Sequence, residues 1–117
     1  MHDVSTGARR FTLQEANALL PTIRKLTDAA VRDAQSLTRR MQKFRRDDAQ
    51  YDQLDASLNT RITQWASEIQ ALGVEVKGLW LVDFDNGEGY YCWQHPEQTI
   101  SHYHGYTEGF AGRMKIV

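Results

Sequence analysis

The single cysteine and three of the four histidines of this chain fall between Cys92 and His104. His102 and His104 are two apart on a stretch that reads as a β-strand, so both imidazoles project from one face, as neighbouring ligands of a metal ion must. Glu108 follows and gives the spacing H-x-H-x-x-x-E. Cys92, Glu97, His95 and Asp83 are further donors that complete a coordination sphere if the strands bring them alongside. A thiolate with imidazoles and a carboxylate suits a divalent transition metal. Against this, His102 and His104 also read as half-exposed strand residues that hydrogen-bond to their neighbours.

Two other arrangements carry chemistry. Cys92 with His104 has the residue types of a nucleophile and its base, given a third group to orient the ring. Cys92 lies between Tyr91 and Trp93, however, where a lone thiol reads as buried and inert. Gly109-Phe110-Ala111-Gly112-Arg113 offers two glycines that let a backbone approach an anion closely, with Arg113 as a bidentate clamp. The competing and favoured reading is a turn at Gly109 and Gly112 with Arg113 paired to Asp83.

These residues need a scaffold, and the N-terminal part of it is helical. Thr12 and Glu15 form a T-x-x-E capping pattern, which starts a helix near residue 12. Pro21 predicts that the first turns end or kink there and that a longer helix restarts. From Pro21 onward Ile23, Leu26, Ala30, Ala34, Leu37, Met41 and Phe44 recur at spacings of three and four, one stripe on a helix of about 24 residues, or about 36 Å. Tyr51, Leu54, Leu58, Ile62, Trp65, Ile69 and Leu72 make a second stripe, closed by Gly73 as a helix cap. A short polar turn over 45–48 folds the two stripes into an antiparallel helical hairpin.

After Gly73 the period changes to two. Residues 74–84 read as one strand, broken or bulged at Gly78, with Trp80, Val82 and Phe84 on one face and Leu79 and Leu81 on the other. Residues 85–89, DNGEG, supply a hairpin turn before a strand over 90–94, which Pro96 terminates. Residues 99–104 form a third strand, and residues 114–117 a last edge strand. One sheet face packs on the helices; the other meets the C-terminal tail or a second subunit. The fold class is therefore α+β: a long antiparallel helical hairpin on a small antiparallel sheet of three or four strands. It forms one domain over 1–117, helical over 12–72 and β over 74–117.

Composition agrees with a single small domain. The chain has 117 residues, 41% of them hydrophobic and 25% charged. Its mean hydropathy is -0.59. No apolar run approaches the roughly 18 residues of a membrane span, and the polar opening MHDVSTGARRF is unlike a secretory signal, so a cytoplasmic location without membrane partners is expected. The net charge of -1 hides a segregation: residues 1–46 hold ten cations against four acids, and residues 47–117 hold four against eleven. The densest basic run, Arg39, Arg40, Lys43, Arg45 and Arg46, is followed at once by Asp47, Asp48, Asp52 and Asp55. At the junction of two antiparallel helices these charges complement the helix dipoles and face one another. That reading, with the acidic pI of 6.4, outweighs nucleic-acid binding.

Residues 11–21 (FTLQEANALLP), 73–78 (GVEVKG), 81–84 (LVDF), Cys92-Trp93 and 104–113 (HGYTEGFAGR) together resemble the prokaryotic domain-of-unknown-function family 2203. The likeness covers almost the whole chain in the expected order. It implies a small cytoplasmic bacterial protein, with Asp83, Phe84, Cys92, Trp93, Glu97, His104, Gly109, Phe110, Gly112 and Arg113 on the family's pattern. The chain departs from that pattern at His95, Pro96 and His102. A family-wide site would therefore use Asp83, Cys92, Glu97, His104 and Arg113, with His102 as a local addition. The H-x-H-x-x-x-E fragment alone is similar to the metal motif of cupins, whose eight-stranded barrel this chain lacks.

Two functional classes follow. The first is a binding or assembly module that self-associates as a homodimer, through its helices or its free sheet face, or that takes a protein partner. The alternative is a metal-binding protein or metal-assisted enzyme using His104 with His102, Cys92 and a carboxylate from Asp83, Glu97 or Glu108. In that case Gly109, Gly112 and Arg113 supply an anion-binding segment.

Overall fold

Thr12 opens the first helix as its spacing predicts. Its hydroxyl accepts from the Glu15 backbone N–H at 3.0 Å, and the Glu15 carboxylate accepts from the Thr12 N–H at 2.8 Å, satisfying two otherwise orphaned donors. The computed structural model describes residues 9–116, so the expectations for the first eight residues and for Val117 lie outside the described residues. Helix α1 then runs unbroken over Leu13–Met41, with Pro21 inside it. The expected end or restart at Pro21 does not occur. Pro21 is on the exposed face, where water can satisfy the carbonyl that loses its partner, while Leu20, Ile23, Thr27 and Ala30 hold the buried face continuous. Helix α2 spans Ala49–Ala71; Asp48 caps it, its carboxylate accepting from the Gln50 N–H at 2.8 Å.

Gly73 follows α2 with φ of +83°, the left-handed turn that glycine adopts without steric cost. Five strands succeed it, β1 Glu75–Gly78, β2 Leu81–Asp85, β3 Tyr90–Gln94, β4 His102–His104 and β5 Met114–Lys115, in one antiparallel sheet of order β1-β2-β3-β4-β5. The sheet thus has one strand more than the upper expectation. Residues 74–84 are broken at Gly78, as expected: the register shifts between Val76 and Gly78, Gly78 pairs with Leu81, and Leu79-Trp80 turn the chain so that two antiparallel strands replace one. Trp80 holds a positive φ of 59° there, which is costly for a bulky residue. Its indole meets Trp65 edge-to-face at 4.9 Å, and this packing offsets the cost.

The core sits between the hairpin and one face of the sheet. Ala16, Leu20, Ile23 and Ala30 of α1 and Trp65 and Ile69 of α2 close over Val82, Phe84 and Trp93. Thr27 is buried among them, and its hydroxyl accepts from the Trp65 indole N–H at 2.8 Å. With side chains alternating along each strand, Asp83, Cys92 and His104 fall on the face turned from the helices. Residues 105–113 return across that face: the Tyr106 hydroxyl donates to Asp85 at 2.7 Å, and Arg113 reaches Glu97 at 2.7 Å. The C-terminal segment, one of the two expected neighbours of this face, therefore lies over part of it. No helix among the described residues is long and apolar enough to cross a membrane.

The Trp65–Thr27 bond joins the two helices where they meet the sheet. Thr27→Val keeps the volume and removes the acceptor, leaving a buried indole N–H unpaired. A loss of about 1–3 kcal/mol in unfolding free energy is expected, measured by denaturant titration. An unchanged midpoint would show that the bond contributes nothing net.

Candidate functional site

Register brings the chemistry together. Asp83 on β2 lies opposite Cys92 on β3, Cys92 lies opposite His102 on β4, and His104 stands opposite Tyr90 two residues further on. One ligand atom from each of Asp83, Cys92 and His104 lies within 4.8 Å of the others. All three are buried, at 1%, 0% and 3% exposure. Three adjacent strands thus place a carboxylate, a thiol and an imidazole at one point under the returning C-terminal segment.

The hydrogen bonding around His104 is incomplete. Its Nδ1 lies 2.8 Å from the Gly105 carbonyl oxygen; a carbonyl only accepts, so Nδ1 carries the proton. Nε2 lies 2.9 Å from Asp83 Oδ2. Despite that approach Nε2 makes no well-formed hydrogen bond, and Asp83 Oδ1 is also buried without a partner. Burial pushes the Asp83 carboxyl above its ordinary range, opposed by the adjacent His104. The Cys92 thiol is pushed up to about 12, first by burial and then by the Asp83 carboxylate.

Beside this trio runs an ion pair. Arg113 grips Glu97 bidentately, at 3.1 Å to Oε1 and 2.7 Å to Oε2, and its Nη1 lies 3.9 Å from Cys92 Sγ. The Glu97 carboxylate also accepts from the Gln94 N–H at 2.8 Å. Burial raises the Glu97 pKa, but the Arg113 and Gln94 hydrogen bonds outweigh it and hold the carboxyl below its ordinary value. His102 Nδ1 sits 3.8 Å from Glu97 and is itself buried without a partner. All five polar residues that the resemblance singles out, Asp83, Cys92, Glu97, His104 and Arg113, therefore meet in one cluster.

The remaining candidates lie elsewhere. Glu108 accepts from the Gly105 N–H at 2.7 Å and stays exposed, closing a turn instead of joining the trio. His95 contacts Asp28 at 2.9 Å. Gly109 and Gly112 bracket a 3-10 turn over Phe110–Gly112, and Gly109 has a positive φ of 67°. Arg113 pairs with Glu97, not with Asp83 as the favoured reading had it, and a guanidinium held this way is not free to clamp an anion. The Gly105 carbonyl, which sets the His104 tautomer, has no signature in the sequence, since backbone acceptors carry none.

A family model described as an uncharacterized conserved protein, DUF2203, matches residues 9–116. No curated protein and no solved structure matches the chain.

Full burial and a pKa near 12 make Cys92 a poor nucleophile as it stands. In metal-free protein at pH 8, a disulfide reagent such as Ellman's should label it at least about a hundredfold more slowly than in guanidinium, since native labelling must await opening of the site. Labelling at the denatured rate would place the thiol at the surface and refute this geometry.

Proposed function

We propose that this chain, which belongs to the DUF2203 family, binds a divalent transition-metal ion through the Asp83 carboxylate, Cys92 Sγ and His104 Nε2. The observation that carries the reading is the unpartnered Nε2. A buried imidazole whose Nδ1–H is fixed by the Gly105 carbonyl presents its other nitrogen to a carboxylate and a thiol, with no well-aligned partner there. A backbone carbonyl that holds one ring nitrogen while the other faces a metal is the usual outer support of a ligating histidine.

Size and charge support the same reading. Ligand atoms about 2.1 Å from a tetrahedral ion lie roughly 3.4 Å apart, so the Nε2–Oδ2 separation of 2.9 Å needs to open by about half an ångström and the 4.8 Å span to contract. A dication is balanced by the Asp83 carboxylate and the Cys92 thiolate, with neutral His104. The Arg113–Glu97 pair beside them adds no net charge, so the buried cluster stays neutral. N, O and S donors together favour zinc or a neighbouring first-row ion over magnesium or calcium.

Three protein donors leave a fourth position. His102 leans toward Glu97, so that position would be open to water, whose pKa a bound divalent ion would lower. His102 is an outer neighbour in this arrangement, and Glu97 is the partner of Arg113.

Elemental analysis of untagged, dialysed protein should find about one ion per chain, retained in His102→Ala and lost in Cys92→Ser. Because a buried substitution can also unfold the site, cobalt loading of the folded wild type provides a separate readout. A thiolate-to-cobalt charge-transfer band that is absent from Cys92→Ser is expected. A folded wild type that holds no metal and gives no such band would end the proposal.

A further inference from the structure

Residues 105–113 join β4 to β5 as a loop on the outer face of the sheet, and both its ends are fixed. His102 and Tyr103 pair with Lys115 and Met114, and the Ile116 N–H donates to the Ser101 carbonyl at 2.8 Å. Between those ends the backbone bonds close within the loop: the Glu108 N–H donates to Gly105, the Gly112 N–H to Gly109 and the Arg113 N–H to Phe110. The loop thus holds its own shape, and Tyr106 to Ala111 are all exposed.

A short set of side-chain contacts fastens it to the cluster beneath. The Tyr106 hydroxyl donates to Asp85 at 2.7 Å, and its ring meets Tyr90 edge-to-face at 5.1 Å. Tyr90 in turn lies 5.4 Å from the His104 ring. At the other end Phe110 rests on the Arg113 guanidinium at 4.3 Å, and Arg113 Nη1 is 3.9 Å from Cys92 Sγ. Both rings are about half exposed, at 48% and 42%, so parting them from the sheet uncovers little apolar surface. Asp83, Cys92 and His104 are nonetheless almost fully buried. An ion bound there needs a path, and the core between sheet and helices shuts the opposite face.

Gly109 holds the closed form. Its φ of 67° and ψ of -171° belong to a region that residues other than glycine all but avoid, and a Cβ added there meets nothing within 4 Å. Gly109→Ala therefore acts on the loop's backbone conformation and on no contact. We propose that residues 105–113 are a lid that lifts as a unit while the sheet stays paired, and that this opening is the route by which the metal ion enters and leaves. The motion rests on the loop's own geometry; what it admits rests on the metal reading above.

Both parts are tested on the full chain. In metal-free protein, labelling of Cys92 by Ellman's reagent should be nearly independent of guanidinium below the unfolding transition, since a lid exposes little surface and global unfolding much. Gly109→Ala should speed native labelling by about tenfold or more by straining the closed form. Tyr106→Phe, which loses only the latch hydroxyl, should speed it by roughly fivefold. Thr27→Val, on the helix side of the sheet, should weaken the whole fold and leave the native labelling rate unchanged. Labelling that climbs with guanidinium as steeply as unfolding does, or that Thr27→Val accelerates, overturns the lid. So does an unaltered rate in a Gly109→Ala variant whose helical circular dichroism is that of the wild type. In cobalt-loaded protein, loss of the ion to excess chelator should rise by the same factors in the two lid variants, and faster labelling without faster loss overturns the lid as the ion's route. Should the wild type hold no ion, the metal reading has failed and the labelling results alone decide the lid.

Discussion

Burying Asp83 and His104 on the sheet face turned from the helices is the constraint around which the rest of this fold is arranged. A carboxylate and an imidazole at 1% and 3% exposure are expensive to take out of water. The chain meets that cost by roofing the face. The turn after β4 offers the Gly105 carbonyl to His104, and residues 105–113 cross back with Tyr106 fastened to Asp85 and Arg113 to Glu97. Phe110 lies against the Arg113 guanidinium at 4.3 Å, which helps to hold the far end of the roof. Each fastening is polar and lies near the rim, so the roof is tied down by specific bonds more than by apolar packing. A segment built in that way depends on the ion pair at its end, and this gives Glu97 and Arg113 a role even where they touch no ligand.

The sequence revealed the parts with local causes. Thr12 and Glu15 announce the first helix because a capping box is complete within four residues. The two apolar stripes announce the hairpin because helical period is a property of one segment, and Asp85-Asn86-Gly87 announces its turn because Asx side chains bond to backbone two residues on, as Asp85 does to Gly87 at 2.9 Å. What escaped was decided by tertiary contact. Pro21 stays inside a helix because packing on the opposite face outweighs one lost bond. Trp80 turns the chain because Trp65 receives its ring. Glu97 finds Arg113 across sixteen residues of chain, and nothing in the local pattern distinguishes that carboxylate from Asp83. Residue type alone already offered Asp83, Cys92, Glu97 and His104 as donors, mixed with His95, His102 and Glu108, and the family likeness narrowed that set and added Arg113. The cluster's geometry, including which nitrogen of His104 is left facing Asp83 and Cys92, required the strand register.

The molecule divides its labour along the helices. Near the sheet, the hairpin supplies one wall of the core, and Trp65, Ile69, Ile23 and Ala30 are wholly buried there. Toward the tip the same helices keep their apolar period with no sheet beneath them. Propensity alone rarely sustains exposed helices of that length, since in water most helical stability comes from packing of an apolar face. The Arg61–Asp33 bond at 2.8 Å links the stalk helices, but one partly exposed pair contributes at most about 1 kcal/mol. The stalk thus carries apolar residues for which the described chain provides too little cover.

The stalk also carries the charge segregation noticed in the sequence. Complementing the helix dipoles requires only a cation or two in the last turn of α1 and an acid or two in the first turn of α2. Asp48, as the cap of α2, meets that need at one end, and Arg39 and Arg40 in the last turn of α1 meet it at the other. Asp55 lies well inside α2, past the first turn where the dipole acts. Lys43 lies beyond the end of α1. The excess is therefore not all capping: part of it is local, since Asp55 lies close enough to Arg46, in the turn between the helices, to stabilise its charge.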